Sequence, residues 1–133
     1  MKVANLLDPA FQEQFQSLLK MPVPAATAFK LRRVAKAIDE HVENFNVLRR
    51  EAIKRNAKLD ESGEIVFEQV DEKREPEAVF ASPEARRAFQ KEAVDLSMVE
   101  VSVPTISVAN DLGPSGQMLT GQMVAVLDGV LVE

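Results

Sequence analysis

The fold is decided by residues 25–57, which read AATAFKLRRVAKAIDEHVENFNVLRREAIKRNA. This segment contains no glycine and no proline, so nothing interrupts a helix about 50 Å long at 1.5 Å per residue. Apolar residues, with one histidine among them, recur at heptad spacing and form a single stripe. We predict a long amphipathic helix whose packed seam includes Leu31, Ile38, Phe45 and Leu48.

A shorter helix precedes the long one. Asp8 and Pro9 predict its start, because aspartate accepts hydrogen bonds from free backbone amides and proline fits the first helical position. Phe11 and Phe15 then share one face of a helix over 8–20. The two prolines of the following segment, MPVP, predict a rigid bend before the long helix.

The second half of the chain alternates between strand and helix signals. Residues 64–70 predict a short strand, and 71–78 are charged and predict an exposed loop. Ser82 and Pro83 predict the start of another helix, and the alternating valines of 98–108 predict a second strand. Residues 118–131 have the spacing of a C-terminal helix.

Together these elements predict an α+β fold. The long helix would lie in a helical hairpin or small bundle, beside a small antiparallel sheet that pairs 64–70 with 98–108. The segment 64–108 would therefore supply strand, loop, helix and strand. A chain of this length predicts a single domain over 1–133.

Charge is distributed unevenly along the chain, whose net charge is −5. Residues 30–58 carry nine basic and four acidic side chains, which gives +5, and the rest of the chain carries −10. Much of that negative charge lies in residues 60–77, directly after the basic helix. With no cysteine, nothing ties the fold to an oxidising compartment. No apolar run reaches membrane-spanning length, so we expect a soluble protein without membrane contact.

No catalytic, cofactor-binding or metal-binding residue is predicted. His41 is the only histidine and lies in the apolar stripe. It could act as a general base or as a pH-sensitive contact, but a helix-interface histidine with a satisfied hydrogen bond is the better interpretation. Asp39, Glu40 and Glu43 cluster nearby but offer too few kinds of ligand for a metal site. We expect a protein without enzymatic activity.

Positive charge gathers around the last turns of the long helix, at Arg49, Arg50, Lys54 and Arg55. These residues could be exposed contacts to a protein partner or could bind phosphates of nucleic acid. The helix dipole favours cations at this end, an acidic segment follows directly, and no aromatic side chain is interleaved to stack on bases. We therefore predict protein contacts.

The order of the segments carries a resemblance. A lead-in with prolines (MPVPAATAFKLRR) is followed by the charged helix, a turn (DESGEIVFE), a capped helix (SPEARRAFQKEA), a valine-rich strand (VEVSVPTI) and an apolar tail. This order resembles that of small tailed-bacteriophage proteins of virion or tail-assembly type. The resemblance covers most of the chain and carries over no binding or catalytic residue. It implies assembly with other phage proteins in the host cytoplasm or in the particle.

The sequence thus predicts a phage structural or assembly protein that acts through protein–protein interaction, with other virion proteins or as a homo-oligomer with a coiled-coil seam. One alternative is a small inhibitor or regulator of a host protein, in which residues 60–77 would imitate nucleic acid. The other is a nucleic-acid-binding accessory protein, whose binding would weaken steeply with salt. No cofactor is expected in any of these cases.

Overall fold

The computed structural model describes every residue from Met1 to Glu133. The helices are α1 (Val3–Leu7), α2 (Pro9–Leu19), α3 (Ala25–Asn56), α4 (Pro83–Ser97), α5 (Val108–Asp111) and α6 (Gly121–Val126), with a 3-10 helix at Gly113–Met118. The strands are β1 (Phe67–Glu68), β2 (Glu77–Ala78), β3 (Ile106–Ser107) and β4 (Leu131–Val132). The predicted α+β fold, with a long helix and a small antiparallel sheet, is confirmed.

The chain divides into two compact units. The first unit combines residues 1–43 with 99–133, and the second consists of residues 44–98. Helix α3 contributes its first part to one unit and its last part to the other. The single domain expected over 1–133 stays a prediction.

One hydrophobic core holds the first unit together. It is built from side chains of α2, the first part of α3, β3, α6 and β4, and most of them are fully buried. Its members are Leu6, Phe11, Phe15, Leu18, Leu31, Val34, Ile38, Ile106, Leu112, Met123, Leu127, Val130 and Leu131. Because full burial of such a side chain contributes about 1.5–3 kcal/mol, this cluster is the main source of the unit's stability.

Backbone pairing joins distant parts of the first unit. Strand β3 pairs in parallel with β4, which places Ile106 opposite Leu131. The Val3 amide donates a hydrogen bond to the Val99 carbonyl at 3.0 Å. The α-ammonium of Met1 donates to the Val101 carbonyl at 3.2 Å. Residues 99–133 therefore complete a core that residues 1–43 begin.

The second unit has a much thinner core. Its buried side chains are Ala52, Ala57 and Phe89. Strands β1 and β2 form an antiparallel pair in which Phe67 lies opposite Ala78. Helix α4 begins where the Ser82 hydroxyl accepts a hydrogen bond from the Ala85 amide at 3.0 Å.

The sheet predicted between 64–70 and 98–108 is wrong. Strand β1 instead pairs with β2, which lies in the segment expected to be a loop. The side-chain Nε2 of Gln69 donates to the Arg74 carbonyl at 2.7 Å inside this hairpin. A local connection of this kind costs less loop-closure entropy than a pairing across thirty residues. The segment 98–108 instead forms an isolated antiparallel bridge between Glu100 and Lys2 and a parallel pairing of Ile106–Ser107 with the end of the chain.

The predicted C-terminal helix over 118–131 is also too long. Helix α6 ends at Val126, and β4 follows from Leu131. Gly129 weakens helix propensity at this point. Burial of Val130 and Leu131 in the core, together with the pairing of β4, then favours the extended conformation.

None of the helices combines enough length with enough apolar character to cross a membrane.

Candidate functional site

The predicted seam of α3 is packed over only part of its length. Leu31 and Ile38 are buried in the core of the first unit. Phe45 is half-buried, and Leu48 exposes 45% of its surface. Leu48 is thus not covered within a single chain, because it lies in the second unit, where the core is thin. The role of these four residues as partner contacts stays a prediction.

The basic residues near the end of α3 already contact their own chain. The guanidinium of Arg49 lies 5.5 Å from the centre of the Phe89 ring. Arg55 Nη2 and Glu92 Oε2 form an ion pair at 2.9 Å. Arg50 Nε donates to the Asn46 carbonyl at 3.3 Å, and Lys54 is exposed. Their predicted contacts with a partner therefore compete with contacts inside the second unit.

His41 is half-buried and held in place by the backbone. Its Nε2 lies 2.9 Å from the Ser102 carbonyl oxygen, so Nε2 carries the proton and donates it. This is the hydrogen bond expected of a packing histidine. The neighbouring Asp39, Glu40 and Glu43 are exposed, and no group of three or more histidine and acidic side chains is placed to hold a metal ion.

Asp111 is the carboxyl group whose pKa departs most clearly from its ordinary value. The hydrogen bond from Lys30 Nζ, at 2.6 Å, lowers the pKa of Asp111, and the bond from the Ser107 amide, at 2.8 Å, lowers it further. The Thr27 hydroxyl also donates to the Asp111 carbonyl. The cluster anchors helix α5 to the start of α3.

The second unit contains a cleft of about 1050 Å³. One wall comes from the end of α3 and from α4, with Arg49, Ile53 and Arg86. The other wall comes from β1, β2 and the segment between them. Its acidic members are Glu68, Glu75 and Glu77, and its apolar members include Phe67, Val70 and Val79.

Backbone hydrogen bonds fix the floor of this cleft. The Lys58 amide donates to the Val79 carbonyl at 2.8 Å, and the Val79 amide donates to the Val66 carbonyl at 2.8 Å. Phe80 and Phe89 stack with ring centres 5.2 Å apart. The stretches of backbone around residues 58, 66 and 79 therefore meet, and the two stacked rings make the floor beside them apolar.

The mouth of the cleft is open and apolar. Phe67 and Val70 expose 59% and 62% of their surfaces. A pocket for a small molecule usually encloses most of its ligand, which this cleft cannot do. An exposed apolar surface with a charged rim is instead typical of a site for another macromolecule.

Sequence reasoning placed the candidate contacts on α3 and missed most of this cleft. Of the eight predicted residues, the cleft contains Arg49 alone. The signal that could have found it is the pair Phe67 and Val70, which stand among acids in a segment read as strand and loop. In a short hairpin whose apolar and acidic residues alternate, the apolar side chains share one face. Two strands alone supply no further layer of structure to cover that face.

The chain matches no family of known proteins, no curated protein and no solved structure.

Proposed function

We propose that this chain is a non-enzymatic assembly protein that acts by protein–protein interaction through the cleft of its second unit. The observation that carries the proposal is the exposure of Phe67 and Val70 at the mouth of that cleft. Aromatic side chains such as Phe67 are enriched in the buried centre of protein interfaces, and Val70 would extend the apolar area beside it. Burying the two side chains against a partner would remove an apolar surface that the second unit leaves in water.

The charges around the cleft support a protein partner. Arg49 and Arg86 lie on the helical wall, and Glu68, Glu75 and Glu77 lie on the hairpin wall. Opposite charges on two walls orient a segment that carries both signs, which favours specificity more than affinity. A continuous basic surface, which nucleic acid requires, is interrupted by the acidic wall.

A role without catalysis is supported by the placement of His41. Its Nε2 proton is donated to the Ser102 backbone carbonyl, so this nitrogen is not free to take a proton from a nucleophile. The carboxylates of Glu68, Glu75 and Glu77 lie on an exposed hairpin, whereas a catalytic acid or base usually acts inside an enclosed pocket.

The resemblance to small tailed-bacteriophage proteins supports the same role in a more specific form. In that form the chain takes part in virion or tail assembly in the host cytoplasm. The cleft would then bind another virion protein or a second copy of the chain.

A site-specific cross-link tests the proposal. A photoreactive amino acid at position 70 should form cross-links to protein in the cells where the chain is naturally made, because this side chain lies at the mouth of the cleft. The matched control is position 94, which is equally exposed but does not line the cleft. Equal cross-linking at both positions, or none at 70, would contradict the proposal.

The exposed acidic segment 60–77 favours one second candidate, an inhibitor that occupies a nucleic-acid-binding groove on a host protein. Its eight acids and two bases give it a charge of −6. This candidate predicts that the partner captured at position 70 is a nucleic-acid-binding protein, and that DNA competes for it. A captured partner that DNA does not displace excludes the inhibitor and leaves the assembly role.

A further inference from the structure

The first turns of α3 carry a second exposed patch. Its charged side chains are basic, whereas those on the hairpin wall of the cleft are acidic. Phe29 exposes 61% of its surface, and the guanidinium of Arg33 lies 5.3 Å from the centre of its ring. Arg32 and Lys36 are also exposed and share this side of the helix. We call Phe29, Arg32, Arg33 and Lys36 the basic patch. None of its three cations forms an ion pair within the chain.

The hairpin wall of the cleft is the chemical counterpart of this patch. Phe67 and Val70 are exposed apolar groups, and Glu68, Glu75 and Glu77 surround them without a cation partner in the chain. The basic patch offers one aromatic ring flanked by cations. The hairpin offers apolar side chains flanked by carboxylates.

We propose that the basic patch of one copy of the chain binds the cleft of a second copy. Phe29 of one copy packs against Phe67 and Val70 of the other. Arg32, Arg33 and Lys36 face the acids of the hairpin wall. The inference rests on the proposed function, since it names a second copy of this chain as the partner of the same cleft.

The apolar contact and the charges have different roles in this interface. Packing of Phe29 supplies most of the affinity, because exposed ion pairs contribute little on their own. The charges set the direction, since Arg49 and Arg86 on the helical wall repel the cations of the patch. Those two arginines would instead face Glu40, which is exposed one turn beyond Lys36 on the same side of α3.

Such an interface joins two different surfaces, so two kinds of assembly satisfy it. If the patch of each copy reaches the cleft of the other, the two contacts close as a two-fold dimer. If only one contact forms between two copies, the pair keeps a free cleft and a free patch, and rings or open chains of subunits result. Both assemblies are self-association that a measurement of solution mass detects.

Two charge-reversal variants test the inference. The patch variant is Arg32→Glu with Arg33→Glu, and the cleft variant is Glu75→Arg with Glu77→Arg. The measurement is solution mass by light scattering over a concentration series at low and moderate salt. The wild-type mass should rise with concentration and rise less at moderate salt, because screening weakens the charged part of the contact. Each variant should weaken self-association by about tenfold or more, equivalent to about 1.4 kcal/mol.

A mixture of the two variants gives the sharpest result. The patch variant keeps an intact cleft and the cleft variant keeps an intact patch, so an equal mixture should regain the association that each variant loses alone. The reversed patch and the reversed cleft also carry opposite charges, so this second contact adds to the association of the mixture. The control is Arg87→Glu with Lys91→Glu, which reverses two exposed charges of α4 that do not line the cleft. It should associate like the wild type.

Several results would overturn the inference. A monomer at all concentrations would do so, and so would variants that associate as strongly as the wild type or a mixture that stays monomeric. If the protein is a monomer while position 70 still cross-links to a different protein, self-association fails and the proposed function stands. Binding of a single-stranded oligonucleotide that the patch variant loses, without self-association, would assign the patch to nucleic acid instead.

Discussion

The two units of this chain differ in how many of their apolar residues they bury. The first unit leaves Phe29 and a few others exposed but buries thirteen apolar side chains in one continuous core. It also satisfies the buried hydroxyls of Thr27 and Ser115 with backbone carbonyls. The second unit buries little and leaves large apolar side chains in water. These are Val47, Leu48, Leu59, Phe67, Val70, Val94 and Met98.

This contrast separates stability from binding. A side chain that contributes to a closed core is not available to a partner, whereas an exposed apolar side chain gains free energy only when a partner covers it. We therefore expect mutations of core residues to change the free energy of unfolding. Mutations of exposed residues at the basic patch or at the mouth of the cleft should change association instead.

Two leucines on the same helix provide the strongest test. Leu31→Ala should lower the free energy of unfolding by about 2–5 kcal/mol, because it leaves a cavity in a closed core. Leu48→Ala should cost less than about 1 kcal/mol, because its side chain is already in contact with water. Urea denaturation followed by circular dichroism measures both. Equal losses would mean that Leu48 is covered in solution, as in an oligomer.

A smaller effect is expected from a buried hydroxyl. The Ser115 hydroxyl donates a hydrogen bond to the Pro22 carbonyl, and the residue is almost fully buried. Ser115→Ala leaves that carbonyl without its partner and should cost about 1–3 kcal/mol of unfolding free energy. The control is Ser97→Ala in α4, whose bond to the Val94 carbonyl is exposed to water. Equal losses of unfolding free energy in the two variants, measured by urea denaturation, would contradict this expectation.

The turn before β1 should give an effect of similar or smaller size in the second unit. Gly63 has a φ of 80°, a left-handed conformation that costs other residues about 1–2 kcal/mol. A Cβ there would meet no neighbouring atom, so Gly63→Ala tests backbone strain alone. Gly121→Ala, at the start of α6 and also in open space, should be neutral or stabilising. Thermal unfolding should show a lower melting temperature for Gly63→Ala and an equal or higher one for Gly121→Ala.

The smallest effect concerns the pH dependence of the first unit. Folding lowers the pKa of Asp111 below 3.8, mainly through the hydrogen bond from Lys30. The stabilisation is therefore complete above the pKa of the unfolded chain and is lost as the pH falls through the lower folded pKa. In both Asp111→Asn and Lys30→Met, the free energy of unfolding should fall less steeply than in the wild type as the pH drops below 3.8. Urea titrations at several pH values would contradict this if both variants kept the wild-type slope.

The sequence predicts the parts of the fold that local chemistry controls. Asp8 and Ser82 cap helices as expected, and the absence of glycine and proline from 25–57 predicts α3 almost to its ends. Strand pairing was predicted wrongly, because alternation shows that a segment is extended without identifying its partner. The parallel pairing of β3 with β4 depends on burial of Ile106 and Leu131 in a core that only the folded chain creates.

The candidate site was harder to predict for a similar reason. The residues chosen from the sequence lie on the most regular element, where periodicity gives a clear signal. The cleft is formed where a short hairpin meets two helix ends, and its members are separated by up to forty residues. Exposure of Phe67 or Phe29 cannot be read from the sequence, because an apolar residue is buried or exposed only according to what packs beside it.

The order of the two units along the chain has a consequence for biosynthesis. The second unit is one continuous stretch, whereas the first requires residues from both sides of it. As the chain leaves the ribosome, residues 44–98 are complete well before β4 emerges. We expect the second unit to become structured first, while residues 1–43 await their core partners. Limited proteolysis of a released chain truncated near residue 110, which lacks β4, should then cut residues 1–43 faster than 44–98.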